Sequence, residues 1–424
     1  MPASNPQVLV INSGSSSLKY ELYSMAPERS LVEGEVERIG EEAPFLWQEV
    51  RCLPDDEEGS SAVASALASI RCGVRDTRDV EAPDHSAALS AAFAAMRESG
   101  LLGDACELVA VGHRIVHGGS EFIEPTALDD GVVEKIEELA LLAPLHTNAN
   151  LAGVRAAFEY CPEVPHIAVF DTAFHRTMPR AACEYALPPE LTTEYGIRRY
   201  GFHGTSHAYV ARRAARMLGA PPEEVNLITM HLGNGASVAA IRRGESVDTS
   251  MGMTPLEGLV MGTRCGDLDP AIPLLIRELT GLNREEIHYM LNHDSGLKGL
   301  AGSNDMREVM KRARDGDEMA ELAIEMFCLR AKKYLGAYYA VLGQVDAVVF
   351  TAGIGENRPD IRARICEGLD SLGIRIDPER NEAERAGPRE ISTAGSRVKA
   401  LVVPTDEELE IARQVYRFVS GERP

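Results

Sequence analysis

A chain of 424 residues with 45% apolar content is long enough for two domains and too apolar to be disordered. Its 43 Lys and Arg against 65 Asp and Glu leave a net charge of −22, which makes nucleic acid and anionic membrane poor partners; the plain reading of the charge is solubility. The eight cysteines contain no CxxC pair, the start MPASNPQ lacks the features of a secretory signal, and no stretch reaches the ~18 apolar residues of a membrane span, so a cytoplasmic protein is expected.

Residues 8–12 predict a short apolar strand, 13–17 a tip of small polar residues, and 18–23 the returning strand of a hairpin. Residues 54–86 are acidic, Ala/Ser-rich and weakly patterned, and read as a partly helical surface excursion. A strand is expected over 108–116, running into His117-Gly118-Gly119, and a helix over 132–142 with Asp129 or Asp130 as N-cap and Pro144 as stop. Residues 166–170 predict a strand ending at Asp171, and 205–218 an amphipathic helix closed by Gly219. The strands 226–230 and 237–241 repeat the first hairpin around another small-residue tip, which suggests a duplicated α/β unit. A long helix over 319–342 carries a stripe of Leu322, Ile324, Phe327, Leu335 and Tyr338, read as core. A strand over 347–350, a turn over 353–357, a helix from Pro359, a strand over 399–403 and a helix over 405–419 complete the chain. In the last helix Thr405 and Glu408 have capping-box spacing. Strands alternating with helices argue an α/β fold.

The chemistry-bearing residues sit at strand ends. No Walker A motif is present, because GSSSLK (14–19) lacks the second Gly and the hydroxyl residue after Lys. GIGENR (353–358) lacks the third Gly of a dinucleotide fingerprint. Three strand-to-turn junctions remain, tipped by Gly, Ser and Asn. Each alone is an ordinary turn, but three in one chain suit the phosphates of a nucleotide, since such tips let backbone N–H groups approach an anion. The spacings His113/His117 and His203/His207 could bind zinc on a helix; the first lies at a strand end and the second lacks the Glu of HExxH, so zinc is not expected. Arg114 and the Gly-flanked Arg264 are either turn residues or guanidiniums that fork a carboxylate and a phosphoryl group.

The stretches VLVINSGSSSLKY (8–20), GHRIVHGG (112–119), PLHTNAN (144–150), VFDTAFHRTMP (169–179), YGFHGTSH (200–207), HLGNGASV (231–238), DTSMGMTPLEGLVMGTRCGDLDP (248–270), FTAGIGEN (350–357) and VPTDEEL (403–409) span nearly the whole chain. On these motifs the sequence resembles the acetate kinase family of short-chain carboxylate kinases, within the superfold shared by actin, chaperone ATPases and sugar kinases. Residues from about 50 to 86 do not match well. The resemblance implies two duplicated actin-like (ribonuclease H-like) domains around a nucleotide cleft: residues 1–170 completed by a C-terminal helix 406–424, and residues 171–405. Closure of such domains would exclude water. It also implies ATP + acetate ⇌ ADP + acetyl phosphate with Mg²⁺, or Mn²⁺ in its place, and a homodimer.

Carried over residue by residue, the resemblance gives Asn12 and Glu407 to the metal. It gives Lys19, Ser15 and Ser17 to the ATP phosphates, with His231, Leu232, Gly233, Asn234 and Gly235 as a second phosphate loop. Asp305, Met306 and Arg307, together with Gly353, Ile354, Gly355, Glu356 and Asn357, would bracket the adenosine. Arg114 would hold the acceptor carboxylate, and Arg264 and His203 the equatorial oxygens of the transferring group. Val116, Leu145, Phe202 and Pro255 would enclose the acyl tail. Asp171 matches the family's acidic active-site residue. A carboxylate acceptor needs no strong base, so Asp171 is expected to orient an Arg or a metal-bound water. Asp406 stands where the family often has Asn, either tightening divalent binding or serving only the first helical turn. A propionate or butyrate kinase is the rival within the class, and a non-catalytic actin-like ATP switch the rival outside it.

Overall fold

The computed structural model describes residues 5–51, 73, 75–100, 108–141, 144–383 and 385–422; the side chains of residues 141 and 144–146 lie outside this description. The chain divides into two compact units, Met1–Ala173 with Asp406–Pro424, and Phe174–Thr405.

The first unit is built on β1 (Gln7–Ser13), whose VLVI run is apolar on both faces, as a central strand requires. On one side follow β2 (Ser17–Met25), β3 (Glu28–Glu37), β4 (Phe45–Val50) and β5 (Arg75–Asp79), each antiparallel to the last. On the other side lies β6 (Leu108–Ile115), parallel to β1; the short β7 (Thr126–Ala127) edges β8 (His166–Phe170), which is parallel to β6. The second unit repeats this with β9 (Asn226–Leu232), β10 (Ala236–Arg242), β11 (Glu245–Thr249), β12 (Ala347–Thr351), β13 (Arg389–Glu390) and β14 (Lys399–Val402). The order β11-β10-β9-β12-β14 has the same strand senses as β3-β2-β1-β6-β8, and each run ends in a short antiparallel edge strand. The duplication that was weak in sequence is therefore complete in topology.

Helices cover both faces of the first sheet. His85–Glu98 and Pro144–Tyr160 cover one core, which holds Leu9, Ile11, Leu89 and Phe93. The C-terminal helix Glu407–Ser420 covers the other with Ile411 and Val415, each burial worth ~1.5–3 kcal/mol. Its approach depends on Gly112: a Cβ there would come within 2.8 Å of Val415 Cγ2.

Several sequence expectations are corrected. Of the excursion 54–86, residues 54–72 and 74 lie outside the described residues, but Arg75–Asp79 is an edge strand of the sheet, where its charges are well suited. The helix expected over 132–142 is Asp130–Glu138 with a 3-10 turn Leu139–Leu141, residue 142 lies outside the described residues, and Pro144 opens another helix, Pro144–Tyr160, as a proline at the first helical position can. Residues 353–357 belong to a short helix, Ala352–Asn357, rather than a turn. Leu322 is 39% exposed and does not belong to the core stripe. The last helix is capped by Asp406, whose carboxylate accepts from Leu409 N at 2.9 Å, so Thr405 and Glu408 form no capping box. Thr405 Oγ1 instead lies 2.8 Å from Ser206 Oγ.

Candidate active site

In the first unit the parallel strands β1, β6 and β8 end on one edge, the edge where open α/β sheets bind ligands. Because Ile11 stands opposite His113, and Arg114 opposite Val169, the chain brings Asn12, Arg114 and Asp171 side by side. Arg114 pairs side-on with Asp171, Nε to Oδ1 at 3.1 Å and Nη2 to Oδ2 at 2.5 Å, while Nη1 donates to Asn12 Oδ1 at 3.2 Å. Of the guanidinium's five N–H donors, these bonds use three. The C-terminal helix adds carboxylates at its positive end: Glu407 Oε2 lies 3.8 Å from Arg114 Nε, and Glu408 Oε1 accepts from Asn12 Nδ2 at 3.3 Å.

Burial works against the Arg114 charge, but Asp171 and Glu407 outweigh it and hold its pKa above the ordinary arginine value. Burial pushes the Glu407 carboxyl up to about 7; Arg114 pulls it back, and the nearby Asp171 and Glu408 carboxylates push it further. Hard oxygen donors at one strand end, with a carboxylate held close to neutral by its surroundings, fit a small divalent cation. In the β1–β2 turn Ser15 is exposed, Ser17 already belongs to β2, and Lys19 stands opposite Asn12 in the ladder. His85 Nε2 lies 2.7 Å from Gly14 O and anchors this tip, a contact no motif announced. Val116 is buried, its N–H donating to Asn150 Oδ1 at 3.0 Å; the side chain of Leu145 lies outside the described residues.

In the second unit the equivalent tip is Gly233, Asn234 and Gly235, because β9 extends through His231 and Leu232. His203 caps the helix Gly204–Leu218 with φ 55°, a left-handed conformation costly for a side-chain-bearing residue and concentrated at functional sites. Its Nδ1 lies 2.9 Å from Ser237 Oγ, and its ring stacks on His231 at 4.1 Å. Ser237 Oγ is in turn 2.8 Å from His207 Nε2, so the second HxxxH pair meets through a serine. In the first HxxxH pair, His113 bonds His166 at 2.9 Å and His117 accepts from Gly119 N.

Arg264 and His203 converge on Gly235: a Cβ there would lie 3.6 Å from Arg264 Nη1 and 3.4 Å from His203 Nε2. Arg264 Nη1 donates to Pro255 O at 3.3 Å, and among the described residues no carboxylate lies within ion-pair distance of the guanidinium. Burial alone lowers its pKa. The tip is tied to its surroundings by Gly262 N donating to Asn234 O at 2.9 Å and by Asn304 Nδ2 donating to Asn234 Oδ1 at 3.1 Å. Asp305 caps the helix Met306–Arg314 and pairs with Arg307 at 2.7 Å; both side chains reach solvent, while Met306 is buried. Ala352, at φ 64°, turns β12 sharply into Gly353, Ile354, Gly355, Glu356 and Asn357. Glu356 folds back to accept from Ala352 N at 2.8 Å, and Ile354 and Gly355 are buried, which leaves Gly353 with open space where a Cβ would stand. Phe202 is buried and Pro255 half-buried.

A profile of the acetokinase family matches residues 7–413. The acetate kinase of Streptomyces coelicolor is 51% identical over 419 residues, covering 98% of each chain. The crystal structure of Porphyromonas gingivalis acetate kinase superposes with a TM-score of 0.87 at 40% identity, covering 98% of this chain and 100% of that one. A propionate kinase from Francisella tularensis gives 0.86 at 40% identity, covering 96% and 98%. The expected duplicated actin-like fold is borne out by these likenesses. The chain belongs to the acetokinase family.

Proposed function

We infer that the protein catalyses ATP + acetate ⇌ ADP + acetyl phosphate by direct transfer of the γ-phosphoryl group. A carboxylate oxygen forms the new bond to phosphorus while the bond to the β–γ bridging oxygen breaks, and ADP leaves. The acceptor is already ionised at neutral pH, so the protein's tasks are positioning and neutralising negative charge. The observation that carries the reading is Arg264, a half-buried cation beside a Gly-Asn-Gly tip and His203, with no carboxylate pairing it among the described residues. Such a charge is costly unless an anion completes it.

In the roles proposed, Arg264 and His203 hold the equatorial oxygens of the transferring group, and the tip at Gly233–Gly235 offers N–H groups to phosphate. Arg114, its plane fixed by Asp171, holds the acceptor carboxylate, while Lys19, Ser15 and Ser17 face the ATP phosphates. Phe202 and Pro255 are apolar surface for an acyl tail. Asp305–Arg307 and the stretch from Gly353 to Asn357 are proposed for the adenosine. Asn12 and Glu407 would hold Mg²⁺, or Mn²⁺ in its place, which when bound neutralises phosphate charge. Exposed Leu274, Leu275 and Leu279 on the helix Ile272–Thr280, with Tyr289 on its neighbour, support a homodimer through this apolar surface. Among the described residues, Cys183, Cys265, Cys328 and Cys366 form no disulfide, which supports a cytoplasmic setting.

The structural likeness to a propionate kinase keeps that acid as the second reading, since one methylene changes binding by only ~1–3 kcal/mol. Hydroxylamine trapping of acyl phosphate, run with acetate, propionate and butyrate, separates the readings. Acetate is expected to give the highest kcat/KM. No acyl phosphate from any of the three would remove the kinase reading.

A further inference from the structure

Residues 250–271 run without helix or strand, an unusual length of irregular chain inside a compact unit and one commonly reserved for function. This segment carries both Pro255 and Arg264. An irregular segment has no ladder of its own to set its position, so something else must hold those two groups in place.

One side chain does much of this. Arg199 donates through Nη1 to the carbonyl oxygens of Thr249, Ser250 and Met251 at 3.0, 3.2 and 3.1 Å, and through Nη2 to Glu257 Oε1 at 2.5 Å. The other Glu257 oxygen accepts from the Tyr185 hydroxyl, whose oxygen in turn accepts from Met253 N at 3.0 Å. A Cβ on Gly252 would collide with both the Glu257 carboxylate and the Tyr185 hydroxyl, so the chain closes tightly over this pair. Gly252 O also accepts from Tyr200 N and Gly201 N at 3.1 and 3.2 Å, which ties the segment to the residues leading directly into Phe202 and His203. The far end closes on itself when Arg264 Nη1 reaches Pro255 O.

We propose that Arg199, with Glu257 and Tyr185, is a positioning group that sets Pro255 and Arg264 against Phe202 and His203, and so sets selectivity for the length of the acceptor acid. The inference rests on the kinase reading above. Arg199 and its partners bind no substrate; they act through the backbone they hold. The planar guanidinium is needed because a lysine ammonium cannot span several carbonyls and a carboxylate at once.

The test uses the full-length protein and three variants: Tyr185→Phe, Glu257→Gln and Arg199→Lys. Steady-state kinetics with acetate, propionate and ATP are measured with the thermal midpoint. Tyr185→Phe keeps the ring and removes only the bridging hydroxyl. It is expected to raise the acetate KM about fivefold and to change the acetate-to-propionate ratio of kcat/KM about threefold, with the ATP KM within about twofold and the midpoint nearly unchanged. Glu257→Gln should move in the same direction, and Arg199→Lys should lower kcat about a hundredfold. An unchanged ratio in both Tyr185→Phe and Glu257→Gln overturns the proposal. So does a rise of acetate and ATP KM together with a fallen midpoint, which would show a purely structural role. Wild-type protein is assayed alongside: if it makes no acyl phosphate from acetate, propionate or butyrate, the kinase reading fails instead.

Discussion

Arg114 and Asp171, at the ends of neighbouring parallel strands, pair through two hydrogen bonds of 3.1 and 2.5 Å, and Asp171 is only 1% exposed. A buried carboxylate committed to a guanidinium is poorly placed to act as a base. Of the two roles expected of it, this pairing supports the orienting of an arginine.

Asp171→Asn removes the charge that fixes the Arg114 plane. The expected result is a fall in kcat of about a hundredfold and a higher acetate KM, with an unchanged Mg²⁺ requirement and about 3 kcal/mol less stability. Kinetics with Mg²⁺ titration and urea unfolding check this; near-full activity would remove the orienting role.

Arg264 predicts the opposite pairing of effects. Its half-buried charge meets no carboxylate among the described residues, so Arg264→Met should leave the thermal midpoint unchanged or raise it. Turnover should nevertheless fall at least about a thousandfold, as expected for loss of a transition-state cation. A variant that lost stability and activity in proportion would contradict this assignment.

Divalent dependence should titrate. With Glu407 pushed up to about 7 by burial, protons compete for the carboxylate below neutrality. The Mg²⁺ concentration for half-maximal rate should rise about tenfold between pH 8 and pH 6. In Glu407→Gln it should be high and nearly flat with pH. A wild-type value independent of pH would rule out Glu407 as a ligand.

Acid should weaken the fold through buried histidines. Burial, with His166 adding to it, lowers the His113 pKa well below its ordinary value, and burial does the same for His207, with His175 and His231 adding. Both are neutral when folded, whereas the unfolded chain takes up a proton near 6.5. Their stabilising effect is therefore full above pH 6.5 and lost as pH falls below it. At pH 5.5, one unit lower, each costs about 1.4 kcal/mol. Urea midpoints at pH 7.5 and 5.5 should show the loss, and His113→Gln should reduce the difference.

Asp406 is expected to matter for the helix rather than the metal. Its carboxylate accepts from Leu409 N at 2.9 Å and from the Tyr23 hydroxyl at 3.0 Å. Asn also caps well, so Asp406→Asn should change neither stability nor Mg²⁺ affinity appreciably, while Asp406→Ala should cost about 1 kcal/mol. A weaker Mg²⁺ response in Asp406→Asn would restore the electrostatic role.

The sequence by itself determined the strands that begin and end at chemistry. The apolar run before Asn12, the one before Asp171 and the helix closed by Gly219 were legible because short buried strands and capped helices are local patterns. The motifs also singled out Arg114 and Arg264 as the candidate cations of the site. The limits of local reading show at particular residues. Asp406 rather than Thr405 caps the last helix: its carboxylate accepts from Leu409 N, while the Thr405 hydroxyl lies against Ser206, 199 positions away. The helix Pro144–Tyr160 was hidden because proline stops one helix as readily as it starts the next. What only the tertiary structure decided is which arginine is paired. Arg114 is neutralised by Asp171, a residue 57 positions away that parallel strand register brings alongside, while Arg264 meets no acid among the described residues. Sequence spacing carries no record of that difference, because charge compensation is a property of distance in the folded chain.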